Sequence, residues 1–204
     1  MVTQIDKRTF NDPGSADKMG TVQFNDDGTK MFLTFHNGLN NTAAHRSDDK
    51  INEYTLSVPY DISTATYAGN DERCSVVDPD HSNSHRSTGV TLGFKFADDG
   101  MKIFTMQRGL NDKQTSFVNR LDLTTAYDIS TCTYHSDVDV DTNALQNGTN
   151  IGDRSTEDNN NLQGMFITND GTKMFLTMNE RETGNPQSIK QYSLSTPYDL
   201  STLT

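Results

Sequence analysis

The stretch NDDGTKMFLT at residues 25–34 returns as ADDGMKIFTM at 97–106 and again as TNDGTKMFLT at 168–177. A second signature follows each copy: YTLSVPYDIST at 54–64, LDLTTAYDIST at 121–131 and YSLSTPYDLST at 192–202. Self-similarity at a fixed spacing, here roughly 70 residues, is the mark of a repeat architecture, in which each unit hides its apolar surface against its neighbours. No other feature limits the fold as strongly.

Each unit reads as four strands. The first is Gly-led, from Gly20 or Gly89, and ends at the Asp-Gly pair. Asp-Gly is a tight hairpin signal, because Gly tolerates the positive φ that such turns need. The second strand, KMFLT or KIFTM, is apolar in succession, as expected of a strand covered on both faces. In the third strand Tyr54 and Leu56, Leu121 and Leu123, and Tyr192 and Leu194 stand two residues apart and share a face. A turn through Tyr-Asp leads to the fourth strand, STATYAG or STCTYHSDVDV, whereas the third unit stops at STLT. No apolar 3.6-residue period persists, so helical alternatives fail.

The expected fold is therefore all-β, a β-propeller with three four-stranded blades per chain. The chain divides into an N-terminal segment, 1–19, that completes a blade, and repeats at 20–88, 89–161 and 162–204. Propellers typically have about 4 to 8 blades. The expected partner is accordingly a second copy, a homodimer closing one six-bladed ring in which each N-terminal strand completes the last blade of the other.

The DGTKMF copies at 27–32 and 170–175, with YSLSTPYDLST at 192–202, resemble a propeller-type repeat family of marine bacterial and phage-derived proteins, often tail-fibre or surface-associated chains. More distantly the unit is similar to the blades of lactonase-like propellers, although their metal-ligand pattern of Glu, Asn and Asp does not map onto this sequence. The resemblance implies a phage or surface-structure component.

Composition removes several functions. The formal net charge is −11, which repels phosphate backbones and anionic membrane surfaces, so neither nucleic acid nor membrane is an expected partner. No segment approaches the roughly 20 apolar residues of a membrane span, and MVTQIDKRTF lacks a secretory h-region. These readings leave the localisation open, in the cytoplasm or in a particle. Cys74 and Cys132 make no disulfide framework and read as small core or edge residues.

Function is expected on the variable connectors. Antiparallel order puts the short, repeated turns at one end of the blades and the long, dissimilar loops at the other. Loops on a rigid scaffold are where binding concentrates. The expected ligand-binding residues are His36, Arg46, Arg108, Asn111 and Arg181, whose planar or charged groups suit a glycan or protein receptor. Two metal groupings are candidates: Asp80, His81 and His85, with Asp78 nearby, for a divalent ion, and Asp137, Asp139 and Asp141 for calcium. No Gly-rich phosphate loop, zinc-type Cys pair or nucleophile elbow is present, and no catalytic residues are assigned. The chain thus reads as a non-enzymatic interaction module, with a metal-dependent lactonase-like hydrolase and a purely structural assembly unit as alternatives.

Overall fold

The computed structural model describes residue 10 and residues 18–36, 50–76, 90–108, 116–139, 161–179 and 188–204. These form three antiparallel sheets, in chain order, and no α-helix. Sheet A contains β1 (Lys18–Phe24), β2 (Lys30–His36), β3 (Lys50–Leu56), β4 (Ala65–Tyr67) and β5 (Arg73–Ser75). Sheet B contains β6 (Val90–Ala97), β7 (Lys102–Arg108), β8 (Ser116–Asp122) and β9 (Thr133–Asp139). Sheet C contains β10 (Asn161–Ile167), β11 (Lys173–Asn179) and β12 (Ser188–Ser193). Within each sheet the strands lie in sequence order, except that β4 and β5 both pair with β3. Residues 68–72 split the fourth strand of sheet A, where β9 of sheet B runs unbroken. The third unit does begin its fourth strand: Leu194 bridges Leu203, and Ser193 and Thr204 exchange both backbone hydrogen bonds.

Each Asp-Gly forms the expected turn. Gly28, Gly100 and Gly171 have φ of +71°, +84° and +68°, a region open to Gly at little cost. In the first and third turns the carboxylates of Asp27 and Asp170 accept from the backbone N–H and hydroxyl of Thr29 and Thr172. Met101 takes that place in the second turn and offers no hydroxyl. There Asp98 and Asp99 both adopt positive φ, as the central pair of a type I′ turn does.

The sheets stack face to face. One face of sheet A (Phe32, Ile51, Cys74) meets one face of sheet B (Phe94, Phe96, Ile103, Leu121), and the rings of Phe32 and Phe96 are 4.7 Å apart, edge to face. The opposite face of sheet B (Phe104, Met106, Val118) meets Leu162, Met174, Leu176 and Tyr192 of sheet C. A third cluster, Met31, Leu33, Phe35, Tyr54 and Leu56, lies on the far side of sheet A with Phe10 packed against it. The second strands are thus buried on both faces in sheets A and B, and Tyr54/Leu56, Leu121/Leu123 and Tyr192/Leu194 each share a buried face, as the alternation requires.

The cysteines depart from expectation. Cys74 and Cys132 form a disulfide, with Cα atoms 5.8 Å apart. Cys74 sits on β5, opposite Ile51 in the A/B core, and Cys132 directly follows the turn before β9. Stacking of successive sheets brings the outer strand of one against the corner of the next, a proximity that spacing along the chain does not reveal. The bridge closes a 58-residue separation, for which chain-entropy reasoning gives about 4 kcal/mol. Replacing both cysteines by serine should lower stability by about 2–4 kcal/mol and abolish any response of the melting temperature to reductant. Calorimetry with and without dithiothreitol measures both.

Candidate functional site

The polar groups at one end of the sheets hold one another in a repeated pattern. At the end carrying the Asp-Gly turns, every unit builds the same latch. Tyr60, Tyr127 and Tyr198 hold φ of +59°, +55° and +62°, rare for a bulky residue. Each ring lies over the glycine of its own unit's hairpin, so close that a Cβ on Gly28, Gly100 or Gly171 would fall 2.4–2.6 Å from ring carbons. Each tyrosine N–H donates to that glycine's carbonyl, at 3.0, 3.0 and 2.9 Å. The next residue, Asp61, Asp128 or Asp199, caps a single 3₁₀ turn and accepts from the N–H and hydroxyl of Ser63, Ser130 or Ser201. The following Thr64, Thr131 and Thr202 each donate a hydroxyl back to that aspartate's carbonyl.

Contacts between sheets use the same corner. Lys30 Nζ donates to the Tyr127 carbonyl, and Arg120 Nη1 to the Tyr198 carbonyl, both at 3.1 Å. The Tyr127 hydroxyl donates to Asp26 Oδ1 at 2.7 Å, crossing from sheet B to the first hairpin. Burial and this carboxylate together push the Tyr127 phenol well above its ordinary range.

Two depressions open here. One, of about 230 Å³, lies where β1, β6 and β10 end, and is lined by Asp26, Lys95, Asp98, Asp99, Tyr127 and Asn169. Asp26 is held by Tyr127, and Asp98 pairs with Lys102. The second, of about 400 Å³, lies between sheet A and the Asp128 corner, with Lys30, Glu53, Tyr67 and Glu72 in its lining. Glu53 is buried. Its Oε1 is 2.9 Å from Lys30 Nζ, and its Oε2 has no hydrogen-bond partner. Burial raises its pKa above the usual glutamate value despite Lys30. The first is rimmed by the three Asp-Gly hairpins, a motif that signals turns and not a depression. The trace of the second was a charged residue inside the β3 run INEYTL, with a lysine on the facing strand.

Of the expected binding residues, His36 and Arg108 belong to the opposite end. His36 and Arg108 occupy the same position, the last residue of β2 and of β7, opposite the first residues of β1 and β6. Arg46, Asn111 and Arg181 lie outside the described residues, as do Asp78, Asp80, His81, His85 and Asp141. Asp137 and Asp139 lie two apart on β9, the outer strand of sheet B, opposite Asn119 and Phe117. Among the described residues no group of three or more His, Cys, Asp or Glu could hold a metal ion, and no helix is long and apolar enough to cross a membrane.

Comparison with known proteins finds no matching family model, no matching curated protein and no matching solved structure. The fold and the latch define the class: an all-β protein of three repeated antiparallel sheets.

The latch sets a pH response. Hydroxyl and backbone donors hold the carboxyls of Asp27, Asp61, Asp170 and Asp199 below their ordinary value of 3.8. A group depressed in the folded state contributes stability above its unfolded pKa and loses it as pH falls toward its folded one. Glu53, raised above 4.5, acts oppositely: its contribution is present below 4.5 and lost as pH rises through its folded pKa. Stability should therefore peak at mildly acidic pH, and Glu53→Gln should flatten the decline toward neutrality while leaving the acid limb intact. Melting temperatures from about pH 3 to about pH 8 test this. Gly100→Ala should lower stability by roughly 2 kcal/mol or more, from the positive φ and the collision with Tyr127. Urea unfolding gives the value.

Proposed function

We propose that the chain is a non-enzymatic interaction module of β-propeller type, which recognises a glycan or protein partner through the end opposite the Asp-Gly turns. The propeller reading draws support from the three consecutive sheets, their face-to-face stacking and the nearness of β1 to β6 and of β6 to β10, an order in which the first strand of each unit lies innermost.

One observation carries the choice of end. At the turn end the Tyr, Asp, Ser and Thr groups are committed to holding one another, in the same way three times over. That end is scaffold. Sequence variation sits on the connectors at the other end, where β2 and β7 finish at the equivalent positions His36 and Arg108. A rigid scaffold that presents unlike loops is how repeat folds create recognition surfaces. The Cys74–Cys132 bridge supports a working environment in which thiols are oxidised, in keeping with the surface or particle setting that the family resemblance implies.

Replacing residues 37–49 by a short Gly-Ser linker should abolish binding on an array of defined glycans, or to a captured protein receptor, and leave the melting temperature within a few degrees of the parent. Retained binding by the trimmed protein would rule out this end of the sheets.

A further inference from the structure

Matched position by position, the three sheets differ in burial on the two outermost faces. On the outer side of sheet C, Ile189 is 73% exposed. Ile51 and Val118 hold the same register position in sheets A and B, and both are at 0%. Phe175 is only half-buried, whereas its counterparts Phe32 and Phe104 are at 0%.

The outer side of sheet A shows the reciprocal pattern along its first strand and at its corner, while Met31, Leu33, Phe35, Tyr54 and Leu56 on that side are at 1–5%. Met19 is 54% exposed, against 0% for Thr91 and Leu162. Val22 is 47% exposed, against 3% for Phe94, and Tyr60 is 57% exposed, against 8% for Tyr198. Among the described residues sheet B, with a neighbour on each side, exposes no large hydrophobic residue. The surplus apolar surface thus lies mainly on the two outermost faces. Those faces are of complementary kind: sheet C offers the face that A presents to B, and sheet A offers the face that B presents to A.

A sequence detail points the same way. Val76 is buried where the chain leaves β5 of sheet A and passes onto sheet B, its carbonyl accepting from Gln107 Nε2 and Asn119 Nδ2. It begins VVDP, 76–79. Phe10 begins FNDP, 10–13, and packs on the corresponding face of sheet A. Phe10 and Val76 thus pack on the corresponding faces of sheets A and B.

We propose that the open face of sheet C receives sheet A of a second copy, head to tail, in the register with which sheet A sits on sheet B. Lys173, at the position of Lys30, then meets the carbonyl of Tyr60 of the second copy, as Lys30 meets that of Tyr127. Phe175 packs against Phe24 of the second copy, as Phe32 packs against Phe96. A head-to-tail contact either closes into a ring or grows into a filament. Two copies of three sheets close at six, within the usual range of blade numbers. The inference rests on the propeller-type reading of the stack.

The test is light scattering on the wild type, Ile189→Lys and Met19→Lys. Both substitutions fall at positions already exposed in the single chain, so each variant should keep the parent's circular dichroism spectrum. The wild type should have twice the 22.7 kDa mass of one chain. Each variant should dissociate at about tenfold or higher concentration, since a buried unpaired lysine costs at least the ~1.4 kcal/mol that corresponds to it. An equimolar mixture of the variants retains one intact contact per pair and should recover part of the dimer. A wild type that stays at 22.7 kDa at every accessible concentration overturns the proposal, as does self-association that survives both substitutions. Masses that grow without limit, yet vanish in both variants, uphold the face-to-face contact and overturn only the six-sheet ring.

Discussion

The rest of the structure depends on the stacking of one tyrosine ring on one glycine. A hairpin turn and the corner between the third and fourth strands lie side by side at the end of each sheet. Both need unusual backbone: positive φ at the glycine in one, positive φ at the tyrosine in the other. Neither conformation is favoured alone for the tyrosine. The glycine lacks the Cβ that would strike the ring, so the ring can lie flat on it and the tyrosine N–H can reach its carbonyl. The two signatures repeat together in the sequence because each is the other's binding partner.

Once fixed, the corner also organises the neighbouring sheet. The left-handed tyrosine presents its own carbonyl outward, where Lys30 or Arg120 of the preceding sheet takes it. A local backbone irregularity thereby becomes a docking point between repeats. The apolar clusters between sheets lie alongside these contacts. A chain with 32% hydrophobic residues can hold such a core because, among the described residues, most large apolar side chains fall on the faces that stack.

The strands and turns were legible because their signals are local. Asp-Gly fixes a hairpin, and a doubly buried strand has to be apolar in succession. The latch was half legible: Tyr-Asp marked a turn, but nothing in a linear reading says that the ring reaches back some thirty residues to a glycine. The disulfide was illegible for the same reason in stronger form. Cys74 and Cys132 belong to different units, and only the stacking of one sheet's outer strand on the next sheet's corner brings them together. The buried Glu53 gave no signal beyond a carboxylate inside the run INEYTL and a lysine on the facing strand. The expected binding residues on the connectors rest on side-chain chemistry alone. Of these, the structure places only His36 and Arg108 at matching strand ends.

The disulfide joins sheets A and B, and among the described residues nothing covalent beyond the chain itself joins B to C. The three units therefore differ in how they would yield to force. Tension applied through residue 204 would load β12 and the B/C seam first, peeling sheet C away while A and B remain stapled as a pair. Sheet C would be the part that gives way under load, with the A–B pair as its fixed anchor.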